Sequence, residues 1–327
     1  MNAFEYVQPR SVDQVLALLK AGGATLKAGG VDLLDQMKEG TIAPARLINL
    51  KALRELRYVR AEGGGLKLGP TATLAQIAAD GGVRSHFAAL AEAAGSAANP
   101  QIRNLATVGG NLCQRPRCWY YRTAEFPCLK KGGGMCFAKD GENKYHAIFG
   151  GGPSFIVHPS TMATALAAFR ASLRITSTDG KAREVGLDKF FTLPSDDYEK
   201  ENILKADELI TEIGIPAPPA GAKSAFVAAK ERELHDWPLC EVAVVLAMRG
   251  DTCQSASIVM GAVAPIPWRA AGAEAALAGK RVTPEIAAAA GKAAVTGAKP
   301  LGGNGYKVPL AERLVARAVL AAAGRKS

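Results

Sequence analysis

The chain has 327 residues, 48% hydrophobic and 21% charged, long enough for two or three modules with cores of their own and too apolar for disorder. Its formal charge of +10 is spread along the whole chain rather than gathered on one arm or helix, which argues against a nucleic-acid surface. No apolar run reaches the roughly eighteen residues that a membrane-spanning helix needs.

Met1 is followed by Asn2 to Tyr6 without a basic and then apolar leader, so no export signal is expected on this chain. It is expected in the cytoplasm, or in the periplasm if carried there folded by a signal-bearing partner.

Residues 1–55 read as a small α/β unit. Ser11 is placed to cap a helix with Val12, Val15, Leu16 and Leu19 on one face, ended by Gly22-Gly23. Ala24 to Ala28 reads as a strand running into Gly29-Gly30, followed by a helix over Val31 to Met37 with Asp32 near its start. Such a turn bares backbone N–H groups at a positive helix end, which suits a phosphate or pyrophosphate. Arg46 to Asn49 is a further strand of the same sheet.

Residues 61–110 form a second α/β unit: a turn at Gly63 to Gly65, a strand at Leu66 to Leu68, and helices over Leu74 to Ala79 and Phe87 to Ala98. Asn99-Pro100 is expected to end the second helix, and Ile102 to Thr107 to return as extended chain. Thr107, Gly109, Gly110 and Asn111 then make a second candidate cradle for a phosphate or a polyol chain.

The stretch from Thr107 to Cys136 holds four of the six cysteines. Cys113, Cys118, Cys128 and Cys136 stand five, ten and eight residues apart, broken by Pro116, Pro127 and Gly132 to Gly134. The alternatives are buried structural thiols or disulfides, but polar, Pro- and Gly-broken backbone is a poor place for packed thiols, and an oxidising compartment is not indicated. The spacing favours a metal centre and leaves the metal open.

Beyond it, Thr161 to Phe169 reads as a helix, Leu173 to Thr176 and Glu184 to Val185 as a hairpin around Asp179-Gly180, and Glu208 to Ile215 as a strand. Pro216 to Pro219 is the linker. Strands over Ala225–Ala229, Cys240–Met248 and Ser255–Val263 precede helices over Ala270–Leu277, Pro284–Thr296 and Leu310–Ala323, an α+β pattern. His146 and His158 lie beside apolar runs, where a lone histidine is ordinarily a hydrogen-bonded structural group.

KAGGVDLL (Lys27 to Leu34) and ATVGGNLCQRPRCWYYR (Ala106 to Arg122) strongly resemble the FAD-binding medium subunit of the xanthine-oxidase family of molybdenum hydroxylases. HPSTMA (His158 to Ala163), ADELITEIGIP (Ala206 to Pro216) and GAVAPIPWRA (Gly261 to Ala270) are similar to that family in matching order, so the resemblance spans the chain. It implies an α+β fold: a two-part FAD-binding domain of the vanillyl-alcohol-oxidase type over 1–218, with subdomains of about 1–58 and 59–218 and a cysteine-rich insertion at about 112–153. A C-terminal domain of the CO dehydrogenase flavoprotein type would occupy 219–327. The insertion resembles the subgroup of 4-hydroxybenzoyl-CoA reductase and periplasmic aldehyde oxidoreductase, whose flavin subunit carries a 4Fe-4S cluster.

By that resemblance, Lys27, Ala28, Gly29, Gly30, Val31, Asp32 and Leu33 would wrap the FAD pyrophosphate, and Thr107, Gly109, Gly110 and Asn111 the flavin and its ribityl chain. Ser160, Thr161 and Lys230 would also lie at the cofactor. Thr161 stands where the family usually has Asp. Cys118, Cys128 and Cys136 match the cluster pattern. The usual fourth cysteine, near Tyr145 or at Ser154, is absent, so Cys113 or Ser154 supplies the fourth donor, or the cluster is three-iron or missing. Trp119, Tyr120 and Tyr121 would shield the cluster, and Arg115, Arg117 and Lys130 would balance its charge.

The function expected is an electron-transfer flavoprotein subunit with no catalytic base of its own. A large partner would hold the molybdenum cofactor, a small one two 2Fe-2S clusters, and this chain would connect them to an external acceptor. The alternatives are a standalone flavoenzyme oxidising its own substrate and a zinc-stabilised binding module.

Overall fold

Val12–Lys20 is helical because Val15, Leu16 and Leu19 fall on one stripe and are all buried, while Ser11 accepts the Gln14 amide as N-cap. The computed structural model describes residues 1–233 and 235–325. Behind that helix lie three parallel strands, β1 (Glu5–Val7), β2 (Ala24–Lys27) and β3 (Arg46–Asn49), with β3 in the middle. The helix and β3 share a core with Leu50, Leu53 and Leu56, to which Leu209 is contributed from far along the chain.

A second, antiparallel sheet contains β4 (Val59–Glu62), β5 (Gly65–Leu68), β6 (Ser172–Ser177), β7 (Ala182–Gly186) and β8 (Glu208–Ile215) in the order β4-β5-β8-β6-β7. The expected hairpin is β6–β7, turned at Gly180 with φ +80° and held by Asp179, which accepts from the Lys181 amide. Its core is built with the helices Leu74–Ala79, Ala88–Ser96 and Thr161–Ala168.

The third sheet, β9 (Ala222–Ala229), β10 (Cys240–Arg249), β11 (Thr252–Gly261) and β12 (Trp268–Arg269), is antiparallel in the order β12-β11-β10-β9. Residues 240–247 of β10 are all buried, which is why VAVVLA, Val242 to Ala247, reads as a continuous apolar run rather than an alternating one. Val242, Val244 and Leu246 pack under the helices Ala271–Leu277, Pro284–Ala294 and Lys307–Ala322. Ala243 and Val245 point the other way, into the core of the second sheet. A single strand thus belongs to two cores.

Four expectations need correction. The helix over 87–98 stops at Ser96, and Asn99-Pro100 begins a new helix, Pro100–Leu105, instead of only ending the old one. Asn99 accepts the Ile102 amide, and proline tolerates the first helical position because that N–H has no partner anyway. Ile102 to Leu105 is therefore helical, not extended. The helix after Gly30 spans Leu33–Lys38, and the last helix begins at Lys307, a turn before Leu310.

Lys307 is fully buried and donates to the carbonyls of Tyr145 and Ala262, both at 2.8 Å. Asn304 donates to His146 and Ala147 O, and Asn143 accepts from Gly303 N. The stretch after the cysteines is thereby stapled to the C-terminal helices. Burial brings the Lys307 ammonium down to about 8 from an ordinary 10.5. Folding thus releases a proton between those two values, and this residue's contribution to stability rises with pH across that window. Lys307→Ala is expected to cost about 3 kcal/mol in urea unfolding at pH 7, two buried carbonyls losing their donor, and to abolish that rise. An unchanged midpoint would refute the staple.

Candidate functional site

The two glycine loops meet face to face. A Cβ on Gly29 would strike the Leu105 carbonyl, and one on Gly110 would come within 3.9 Å of the Ala28 methyl. Gly109 is pressed on Pro70, where an added Cβ would sit 2.9 Å from the ring, and its amide donates to the Pro70 carbonyl at 2.9 Å. Thr107 caps the short helix Val108–Leu112 by accepting the Gly110 amide. Asn111 Oδ1 accepts from Ser160 Oγ at 2.7 Å and from the Met162 amide, which fixes the start of the Thr161 helix against the second loop. Among the described residues, no acceptor faces the backbone N–H groups of Gly29 to Leu33.

The result is a cleft of about 640 Å³ lined by Ala28, Gly29, Gly30, Val31, Asp32, Leu33, Thr107, Gly110, Asn111, Thr161 and Lys230. Three expected residues stand behind it. Lys27 lies over the Tyr6 ring, Gly109 packs on Pro70, and Ser160 caps the Thr161 helix while holding Asn111. Ile42 to Pro44, Ala97, Gln114 and Trp237 also line the cleft. Gln114 belongs to the Ala106 to Arg122 motif; the others lie in loops without a motif, and only tertiary packing brings them there.

Asp32 acts as a clamp. Its carboxylate accepts the Arg115 amide at 2.8 Å and Gln36 Nε2 at 2.9 Å, and pairs with Arg117 at 2.9 Å and Arg122 at 2.6 Å. The first glycine loop is thus tied to the cysteine stretch. Arg115 and Lys130 both pair with buried Glu201 at 2.7 Å. This corrects the expected cationic shell: the arginines and Lys130 already face carboxylates of the chain, because charges leave water only when paired.

Cys118, Cys128, Cys136 and the buried Ser154 line one small cavity. Cys113 is not among them: it lines the cleft, with its thiol pushed up to about 12 by burial. Of the four cysteines expected as ligands, Cys113 thus stands apart, and Ser154 lies beside the other three. The reason is chain direction, since Cys113 ends the short helix that builds the second glycine loop. His146 Nε2 lies 3.2 Å from Cys118 Sγ, and burial raises that thiol to about 11. Among the described residues, no three His, Cys, Asp or Glu side chains converge closely enough to hold a metal ion as they stand. Tyr120, Tyr121 and Phe137 line this cavity, and Tyr120 packs on Phe126 and Phe137, so aromatics wall one side of it.

A second cavity, of about 230 Å³, runs from Cys118 and Trp119 past His146 and His158 to Glu241, and shares Arg117, Asp236, Trp237 and Pro238 with the cleft. Burial lowers His146 to about 4 and His158 to about 3, so both are neutral at pH 7. Glu241 carries no motif and was missed from sequence. Thr161 Oγ1 donates to it at 2.9 Å and Thr164 Oγ1 at 2.8 Å. Lys230 Nζ donates to Ser96 O at 2.6 Å from the rim of the cleft.

Residues 2–218 match the family model of the FAD binding domain in molybdopterin dehydrogenase, and 224–322 that of the CO dehydrogenase flavoprotein C-terminal domain. The chain belongs to this family of flavoprotein medium subunits. It is 33% identical to the aldehyde oxidoreductase FAD-binding subunit PaoB of Escherichia coli, over 97% of each chain. It is 30% identical to the carbon monoxide dehydrogenase medium chain of Hydrogenophaga pseudoflava, over 98% of each. The solved carbon monoxide dehydrogenase of Hydrogenophaga pseudoflava superimposes with a TM-score of 0.76, covering 100% of this chain and 99% of that one. Quinoline 2-oxidoreductase of Pseudomonas putida 86 does so at 0.77 and 25% identity, covering 99% and 98%. Like these relatives, the chain is a FAD-dependent oxidoreductase subunit.

Proposed function

We propose that this chain is the FAD-containing electron-transfer subunit of a heteromeric molybdenum hydroxylase of the aldehyde oxidoreductase or aryl-CoA reductase type. It would relay electrons between a 2Fe-2S partner subunit and an external acceptor, while the substrate reacts at the molybdenum cofactor of a large partner. The observation that carries this reading is the single cleft formed by two glycine loops. Its bare amides from Gly29 to Leu33 suit a pyrophosphate, and Gly29 itself leaves no room for a side chain. When bound, FAD supplies the one- and two-electron chemistry, and the chain supplies position and surroundings.

The finer half of the proposal is a 4Fe-4S cluster held by Cys118, Cys128 and Cys136 with Ser154 as an oxygen donor, which these four residues support by lining one cavity. Lys130 and Arg115, neutralised by Glu201, brace the loop around it, and the wall of Tyr120, Tyr121 and Phe137 would keep water out.

The test is to purify the complex with its partners and quantify FAD and iron per chain. Cys118→Ser is expected to lose most of the iron assigned to this chain while keeping FAD, and Cys113→Ser to keep both. Full iron in Cys118→Ser would remove the cluster proposal and leave the flavin one. Substrate-dependent bleaching of the isolated chain would instead support a standalone flavoenzyme.

A further inference from the structure

Glu241 is a carboxylate without a task in the relay as described. It sits on β10 with 1% of its surface exposed, and among the described residues it has no ion-pair partner. The Thr161 and Thr164 hydroxyls are its hydrogen-bond donors. The opposite side is closed, since a Cβ on Gly261 would run into Glu241 Oε1 and Thr164 Oγ1. Thr161 also lines the cofactor cleft, and Glu241 itself lines the adjoining cavity, so the pair forms the wall between them.

We propose that Glu241 is a positioning residue for the flavin: its protonation state sets, through the Thr161 hydroxyl, which hydrogen-bonding polarity the cleft wall presents to the cofactor. An ionised carboxylate only accepts, so both threonine O–H groups must donate to it, and Thr161 turns lone pairs toward the cleft. A protonated Glu241 donates one hydrogen and releases one hydroxyl to donate elsewhere. The Ser160 carbonyl, 3.5 Å from Thr164 Oγ1, is too distant to hold a released Thr164 hydroxyl, so the hydroxyl released is that of Thr161, whose free direction is the cleft. A flavin exchanges N–H donors for acceptors as its redox state changes, so the wall's polarity biases its potential.

The surroundings allow the switch to operate near neutrality. Burial brings the Glu241 carboxyl up to about 7, opposed by its two threonine donors and by the charge of Lys230. The other charged groups around the adjoining cavity are already engaged: Arg117 with Asp32, Asp236 with Arg232, and Glu231 with Lys144. His146 and His158 stay neutral in this range.

This inference rests on the flavin reading above, and the experiment separates the two. The FAD midpoint potential of the full complex is titrated over about two pH units on either side of 7. The wild-type slope is expected to break near 7. Glu241→Gln and Thr161→Val should lose the break, and Thr161→Ser should keep it. A purely structural role would lower FAD content without changing the slope of the loaded fraction, so a break retained in either FAD-loaded variant overturns the inference. If neither variant folds, redox-difference infrared spectra of the wild-type complex decide: a protonated-carboxyl band that ignores flavin reduction overturns it equally. A wild-type complex without FAD refutes the flavin reading itself, whereas one with FAD and an unbroken slope refutes only the role of Glu241.

Discussion

Gly29→Ala is expected to weaken FAD binding at least tenfold, to a chain that still folds. The added methyl would collide with the Leu105 carbonyl, and the neighbouring carbonyl carbon lies at 3.0 Å. Both are backbone atoms of a helix end, so no side chain can swing aside. The loops can only part, and a forced overpacking of this kind costs about 1–3 kcal/mol. Because the strain falls on the joint between two loops, it should appear as lost affinity, about a factor of ten per 1.4 kcal/mol. Gly81→Ala is the control. Its Cβ would meet nothing within 4 Å, and it should leave both FAD affinity and stability within about 0.5 kcal/mol. Flavin fluorescence titration of the two variants decides the matter; equal affinities would mean that the loops do not hold the cofactor.

Glu201→Ala is expected to cost about 3–5 kcal/mol in urea unfolding, because it leaves buried cations without their counter-charge. The side chains of Glu201 and Lys130 are 3% and 2% exposed, so water cannot replace the lost partner, and Arg115 loses its carboxylate at the same time. Burial already lowers the Lys130 ammonium, with Glu201 opposing the shift, so removing Glu201 drives Lys130 further toward its neutral form. The loss should concentrate in the cysteine stretch, with increased amide exchange from Arg115 to Lys131. Lys130→Met in the same background should recover part of the loss, since it removes the orphaned charge. A single variant with a wild-type midpoint would show that the pair contributes nothing to holding this loop.

The Glu201 pair also marks the division between what was readable in the primary sequence and what was not. Arg115, Arg117 and Lys130 were visible as a basic group beside the cysteines, and a compensating role toward an anionic centre followed from their neighbours in sequence. Their actual partners, Asp32, Asp35 and Glu201, lie some seventy to ninety residues away along the chain and announce nothing locally. The same holds for Cys113. Counting thiols grouped it with Cys118, whereas the helix Val108–Leu112 carries it to the cleft.

Sequence alone determined many of the local elements and the positions of the two glycine loops. Apolar periodicity fixed the helix Val12–Lys20 and the strand Glu208–Ile215, and the glycine pairs marked where backbone packs too closely for a side chain. These are properties of residues within a few positions of one another. Only the tertiary structure decided that the two cradles share one cleft, that Ser154 rather than Cys113 joins the three cysteines, and that Glu241 stands behind Thr161. The last of those facts depends on burying β10 between two cores, and a carboxylate or hydroxyl gains its role from the partners such burial leaves it, which no local pattern encodes.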